Sequence, residues 1–264
     1  MTTPRPLALV TGASGGIGLD IATLLAARGH DLILVARREP AMTDLAAKLK
    51  AAHGATSHVI AADLAAPGAA ERLVEEVAKR GLTVDVLVNN AGYGLYGPIT
   101  ETDAVDEMNM LQLNVVALYR LTKLLVPGMV SRKRGRIMNV ASTAAFFSGP
   151  LMAVYYASKA FVLSFSEALD EELAGTGVNV TCLCPGPTKT EFRTRAGTSE
   201  SKLADRPQEP SLPVAQAGVD GLFRGERVVI PGAKNRLETS LPRFLPRRMV
   251  TGIVKGVMGK SGAG

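Results

Sequence analysis

Tyr155 and Lys159 stand four positions apart within residues 153–174, a segment whose apolar residues recur at helical spacing. That separation puts a phenol and an ammonium on one face of a helix. A free phenol ionises near pH 10, too high for efficient acid–base work at neutral pH, and a neighbouring cation lowers that value. The pair can therefore donate or accept a proton at an oxygen. Tyr156 competes for the same part, because residues three apart also meet on a helix. A second constellation is Thr11-Gly12-Ala13-Ser14-Gly15-Gly16-Ile17-Gly18, which follows the apolar run 7–10 and precedes a helical segment. Glycines there let a backbone approach a pyrophosphate, and a helix N-terminus offers it free amides; the alternative is a mere tight turn. Cys182 and Cys184 alternate in an apolar run, so their side chains point the same way and a bridge between them is disfavoured. They are expected as buried free thiols. The sequence suggests no serine–histidine–acid triad and no metal cluster, and His30, His53 and His58 are expected at the surface.

The elements that must position these groups alternate regularly. Strand-like runs lie at 7–10, 32–36, 57–61, 84–89, 136–140, 178–183 and 227–230, and helical segments at 17–28, 40–53, 69–80, 103–133 and 153–174. Strand, helix, strand in repetition predicts an α/β fold: one doubly wound, Rossmann-like parallel sheet of about seven strands with helices on both faces. Chemistry in such sheets sits beyond the carboxyl ends of the strands. Residues 193–213, polar and proline-bearing, read as a long loop with room for one short helical piece, a candidate lid.

The chain has 264 residues, 47% of them hydrophobic, enough for one large domain and its cleft. No leader-like segment precedes Leu7, and no run reaches the roughly 18 apolar residues of a membrane span, so a cytoplasmic protein is expected. The net charge of +6 is uneven: residues 1–185 carry 16 basic and 17 acidic side chains, residues 186–264 carry 14 and 7. No nucleic-acid module accompanies this excess, and aromatics are sparse, which argues against a nucleic-acid partner. An anionic ligand, a partner subunit or a membrane surface are the other readings.

Taken together, the motifs resemble those of the short-chain dehydrogenase/reductase family, from about Pro6 to Pro231. The glycine turn matches its cofactor motif, and Asn89-Asn90-Ala91-Gly92 its structural motif. Tyr155-Tyr156-Ala157-Ser158-Lys159 matches the Tyr-x-x-x-Lys active-site motif, with Ser142 13 positions earlier and Pro185-Gly186 after the sixth strand. The resemblance selects Tyr155 over Tyr156 as proton donor or acceptor. It implies that Lys159 also binds the nicotinamide ribose, that Ser142 holds the substrate oxygen, and that Asn114 holds a water on a proton path to Lys159. Thr143 is the neighbour that could be mistaken for Ser142. A buried amide satisfying a helix bend is the other reading of Asn114. Gly12, Ser14, Gly15, Gly16, Ile17 and Gly18 would cradle the pyrophosphate. Asn90, Ala91, Gly92, Pro185 and Gly186 would line the cofactor cleft, and Thr188 would meet the carboxamide. Asp63 and Leu64 resemble the adenine contact, although Asp63 also reads as a cap of the next turn.

The second strand ends Ala36-Arg37-Arg38, with no acid to hold ribose hydroxyls. An arginine there suits the extra phosphate of NADP, so NADP is the expected cofactor. Arg37, helped by Ser14, is the expected phosphate ligand; Arg38 is the lesser candidate and can simply face water, and solvated helix-entry charges are the other reading of both. The expected function is hydride transfer between nicotinamide and a carbonyl or secondary alcohol. An apolar ketone or aldehyde is the expected substrate, bounded by Tyr93, Leu95, Tyr96, Phe146, Phe147, Leu151, Met152 and the lid. An oxoacyl-thioester or hydroxysteroid-type lipid reductase is the alternative, and a non-catalytic NADP-binding sensor a more distant one. A homodimer or homotetramer is expected, its contact supplied by segment 103–133 and by Ala160, Phe161, Leu163, Phe165 and Leu169. In the tail, residues 240–264, the side chains of Met249, Val250, Ile253, Val254, Val257 and Met258 form one helical stripe, with Arg247, Arg248, Lys255 and Lys260 outside it. Three glycines weaken such a helix by roughly 1 kcal/mol each relative to alanine. It should therefore form only against a surface: its own domain near the lid, a partner subunit or a membrane.

Overall fold

Alternate residues of each strand feed two separate cores. In the computed structural model, which describes residues 5–198 and 206–259, strand β1 (Leu7–Thr11) sends Ala8 and Val10 to one side and Leu7 and Leu9 to the other. The first side meets helices α1 (Gly16–Ala27), α2 (Glu39–His53) and α8 (Ser211–Arg224). The second meets α3 (Ala69–Lys79), α5 (Leu118–Ser131) and the end of α6 (Ala153–Glu172). Leu9, Leu25, Leu34 and Leu87 are completely buried between these layers. Each such leucine stabilises the fold by roughly 1.5–3 kcal/mol.

The remaining strands of the main sheet are β2 (Asp31–Ala36), β3 (Ser57–Ala61), β4 (Val86–Asn89), β5 (Gly135–Val140), β6 (Val178–Leu183) and β9 (Val228–Val229). Their order is β3-β2-β1-β4-β5-β6-β9, every neighbour parallel. The chain winds outward from β1 to β3, then crosses back by α3 to β4. The reversal opens a crevice beyond the carboxyl ends of β1 and β4, where a ligand has room to enter.

The expected segment 103–133 is a continuous helix built from α4 (Ala104–Leu111), a π-helical stretch at Gln112–Ala117, and α5. It begins at a true cap: Asp103 Oδ1 accepts from the amides of Val105 and Asp106. Contrary to the sequence reading, this 28-residue helix is long and apolar enough to cross a membrane by composition. Leu121 and Met129 pack one side of it against the sheet, while Val116, Tyr119 and Leu124 stay exposed.

The segment read as a lid holds one short helical piece, as expected, in α7 (Phe192–Ala196), and also an unread strand, β8 (Glu209–Pro210), which pairs in parallel with β7 (Thr188–Lys189) ahead of it. Residues 199–205 lie outside the described residues. Helix α8 already starts at Ser211, so Pro213 belongs to its first turn, where proline is tolerated. Within α8, Gly218 and Gly221 lie flat on Leu183 and Val229, and a β-carbon on either would come within 2.7 and 2.3 Å of those side chains. These glycines hide the helical pattern from sequence. The short helix α9 (Ala233–Ser240) was likewise unread, whereas the tail helix appears as α10 (Arg247–Met258).

Two smaller expectations fail. His30 is buried rather than exposed, its ring edge-on to Phe223 at 5.5 Å and its Nδ1 3.2 Å from the Leu25 carbonyl. Burial accordingly lowers its pKa. Leu163 is buried in its own core beside Cys182 and Cys184, so it supplies no contact surface, while Phe161 is 41% exposed.

Candidate active site

The glycine turn closes on β4 through one hydroxyl. Thr11 Oγ1 accepts from the amides of Asn90 at 2.9 Å and Ala91 at 3.0 Å, and donates to the Val88 carbonyl. Asn90 Nδ2 in turn donates to the Thr11 carbonyl at 2.9 Å. Gly12 sits at φ +68°, and a β-carbon there would fall 2.6 Å from that amide nitrogen. Only glycine fits. Helix α1 then begins at Gly15 without any side-chain cap, so its first amides remain available to an anion. Ile17 packs on the first core and Gly18 is buried beneath the turn.

Arg38 is exposed and also reaches the turn: Nη2 donates to the Ser14 carbonyl at 3.1 Å and Nε to Ser14 Oγ at 3.4 Å. Its Nη1 pairs with Glu191 Oε1 at 2.9 Å, which holds the Glu191 carboxyl below its usual pKa. Arg37 lies exposed on the same rim, where its charge and that of Asp63 act oppositely on the Tyr93 phenol. Asp63 Oδ1 accepts from the Ala65 amide at 3.0 Å, so its side chain caps its own turn. Leu64 faces the second core, and both residues still line the cleft.

Beyond β5 and β6 lies the proton machinery. Tyr155 and Lys159 are almost fully buried on one face of α6. Lys159 Nζ donates to the Val140 carbonyl at 2.9 Å and stands 5.9 Å from the Tyr155 ring centre. Burial pushes the lysine down to about 8, opposed by the nearby Cys182 and Cys184. Their sulfurs lie 3.8 Å apart and unbridged. Burial raises the Tyr155 phenol, while hydrogen bonding with Ser142 opposes the rise. Ser142 Oγ accepts from the Ala144 amide at 3.1 Å and donates to the Pro185 carbonyl at 3.4 Å, which fixes it at the start of the short turn Thr143–Phe146. Thr143 instead spends its amide on Pro185.

Asn114 occupies the π-helical stretch, a distortion that recurs at functional sites. Its Nδ2 donates to the Tyr93 carbonyl at 2.9 Å and to Ser158 Oγ at 3.1 Å, while Oδ1 accepts from the Tyr93 amide. A β-carbon on Gly92 would lie 2.9 Å from Asn114 Oδ1 and 3.4 Å from Lys159 Nζ. Asn114 thus braces the helix bend and borders the same small space as the lysine. Beneath, a buried polar chain links the elements: Asn89 Nδ2 donates to Thr122 Oγ1 and Asn139 Oδ1, and Asn139 Nδ2 donates to Ser166 Oγ. Sequence reading missed this chain, since amides in apolar strands give no periodic signal.

The cleft encloses about 1200 Å³. One end holds the glycine turn, Pro185, Gly186 and Thr188, whose hydroxyl is bonded to the Gly186 carbonyl at 2.9 Å. The other end is mostly apolar, although the Arg206–Glu238 ion pair also lines the cleft. Tyr93, Leu95, Phe147 and Met152 line it as expected, whereas Tyr96, Phe146 and Leu151 lie behind the wall. Phe192, 5.3 Å from the Tyr155 ring, and the tail's Val254, Val257 and Met258 complete it. Met258 is fully buried: Tyr96 Oη donates to its carbonyl at 2.7 Å, and Tyr156 Oη lies 3.7 Å from its sulfur. Tyr156 is therefore a wall between α6 and the tail.

A model of short chain dehydrogenases matches residues 6–201. The chain belongs to the short-chain dehydrogenase family, a family of oxidoreductases. This short-chain dehydrogenase is 40% identical over 180 residues to a very-long-chain 3-oxoacyl-CoA reductase of Phaeosphaeria nodorum, a match covering 67% of the chain and 53% of the relative. It thus spans about half the length of that fungal protein. Among solved structures it resembles a short-chain dehydrogenase from Sphingobium yanoikuyae in complex with NADPH: TM-score 0.79, 31% identity, 92% and 97% of the two chains covered. It also resembles the bulky-bulky ketone specific alcohol dehydrogenase from Comamonas testosteroni, with TM-score 0.77, 31% identity, and 91% and 93% covered.

Proposed function

We propose that this short-chain dehydrogenase reduces a ketone borne on a long apolar group, a 3-oxoacyl thioester being the class that fits best, with NADPH as cofactor. The observation that carries the reading is the position of Tyr155. It is buried where the glycine-turn end of the cleft meets a wall of Phe147, Phe192, Val254, Val257 and Met258. The cradle at Gly12, the uncapped start of α1 and the arginines at the end of β2 suit a dinucleotide carrying an extra phosphate. The NADPH complex of the Sphingobium relative supports that choice. The fungal 3-oxoacyl-CoA reductase and the bulky-ketone enzyme support the substrate class.

When bound, the nicotinamide supplies hydride to the carbonyl carbon. Tyr155 keeps its proton at neutral pH, because burial raises its pKa, which suits donation to a carbonyl oxygen. Ser142 steadies that oxygen beside the phenol. Lys159 still carries most of its charge at neutral pH and borders, with Asn114, the space left by Gly92 through which a proton can be resupplied. Copies of the chain pair through α5 and α6, where exposed Phe161 stacks on Phe165 and Tyr119 stands beside it.

The test is NADPH oxidation against 3-oxoacyl thioesters of increasing chain length, for which kcat/KM should rise with length. Tyr155→Phe should lose roughly 10²–10⁴-fold in kcat while keeping its affinity for NADPH, and Tyr156→Phe should keep most activity. A dead Tyr156→Phe beside an active Tyr155→Phe would show the acid to be misassigned.

A further inference from the structure

The tail stripe read from sequence as one face is divided in the structure. Val250 and Met258 are buried and Val254 and Val257 half-buried against the cleft, but Met249 is 53% and Ile253 54% exposed. The exposed pair adjoins Gly252 and Gly256 on α10, where nothing lies within 4 Å of an added β-carbon. Just upstream, Leu241 and Phe244 are also exposed, Phe244 at 81%. Between Leu241 and Gly259 the chain carries Arg243, Arg247, Arg248 and Lys255 and no acidic residue. Arg247, Arg248 and Lys255 are exposed as well. Large apolar side chains set among unopposed cations, on a helix lying over its own domain, match the composition of a segment that rests in the headgroup layer of an anionic bilayer.

Placement gives this surface a purpose. Leu241, Ile253 and Val257 line the cleft that leads to Tyr155, so the patch surrounds the substrate entrance. We propose that residues 241–255 dock the chain peripherally on an anionic lipid surface, with Phe244, Met249 and Ile253 entering the acyl boundary and the arginines meeting lipid phosphates. An apolar substrate then passes from lipid to cleft without crossing water. The docking surface itself does not depend on which ketone is reduced.

The experiment is co-sedimentation of the full chain with vesicles of phosphatidylcholine alone and of phosphatidylcholine mixed with phosphatidylglycerol. Binding to the anionic vesicles only is expected, and it should weaken in about 0.5 M salt. Phe244→Glu combined with Met249→Glu should reduce it by about tenfold or more, as should reversal of Arg243, Arg247 and Arg248 to Glu. The altered side chains are exposed, and unchanged NADPH binding with unchanged turnover of a small water-soluble ketone will show that the variants fold. No sedimentation with anionic vesicles, or sedimentation indifferent to both sets of variants, overturns the proposal. So does a lipid-free mass by light scattering that the Phe244→Glu and Met249→Glu variant halves, because the patch would then be an interface between copies of the chain.

Discussion

Arg38 is held between the glycine turn and Glu191, donating to the Ser14 carbonyl at 3.1 Å and to the Glu191 carboxylate at 2.9 Å. The bridge joins the end of β2 to the start of α7 across the opening of the dinucleotide end of the cleft. A phosphate arriving at Arg38 must share the guanidinium with that carboxylate or displace it.

Arg38→Ala should therefore weaken NADPH by about tenfold or more and leave NADH nearly unchanged. Arg37→Ala should act in the same direction. Glu191→Gln should tighten NADPH, but only a few-fold, because both partners of the bridge are half exposed and screened by solvent. Fluorescence titration of the two cofactors measures all three. Equal affinity of the unaltered chain for NADPH and NADH would remove the basis of this assignment.

Burial brings Lys159 down to about 8, so the folded chain gives up this proton more readily than the unfolded one. Between about pH 8 and the ordinary lysine value the unfolded chain binds more protons at this site, so its contribution to stability improves as pH rises through that window. Below it the buried ammonium is a standing cost. Lys159→Met should accordingly raise thermal stability at pH 7, by on the order of 1–3 kcal/mol, while abolishing turnover. In the unaltered enzyme kcat/KM for reduction should fall above about pH 8 as the ammonium is lost. Calorimetry of the variant decides the first point, and a lowered melting temperature would contradict it.

Met258 closes the substrate end between Tyr96 and Tyr156. Met258→Ala opens a gap there, and removal of residues 240–264 opens the whole wall. Both should raise KM for long-chain ketones, the truncation more, with NADPH affinity intact because the dinucleotide groups lie on other loops. Steady-state kinetics beside a binding titration separates the two effects.

Much of this site was legible because its chemistry rides on regular elements. Tyr155 and Lys159 share a helix face by spacing alone, and the glycine turn announces itself after a short apolar strand. The failures have physical causes. Arg37 and Arg38 are adjacent at a strand end, and the contact of Arg38 with Glu191, more than 150 positions away, leaves no mark in the local sequence. Helix α8 was unread because the glycines that let it lie close on β6 and β9 also erase its apolar period. His30 sits in a turn that sequence places at the surface, but Phe223 of α8 covers it. That Lys159 also donates to the Val140 carbonyl depends on how β5 packs on α6, which spacing does not reveal.

The buried chain Thr122–Asn89–Asn139–Ser166 and the hydroxyl of Thr11 bind the ends of β1, β4, β5 and α6 into one block. The tail and α7 are tied by fewer and more peripheral bonds: Tyr96 Oη donates to the Met258 carbonyl, Arg38 pairs with Glu191 ahead of α7, and Arg193 donates to the Arg206 carbonyl. Amide hydrogens on the block should exchange only with global unfolding, and those of α7 and α10 through local opening. Chemistry and admission are thereby assigned to parts of the chain with different clocks. The turnover of a bulky product will keep time with the peeling of α10 rather than with the proton on Tyr155.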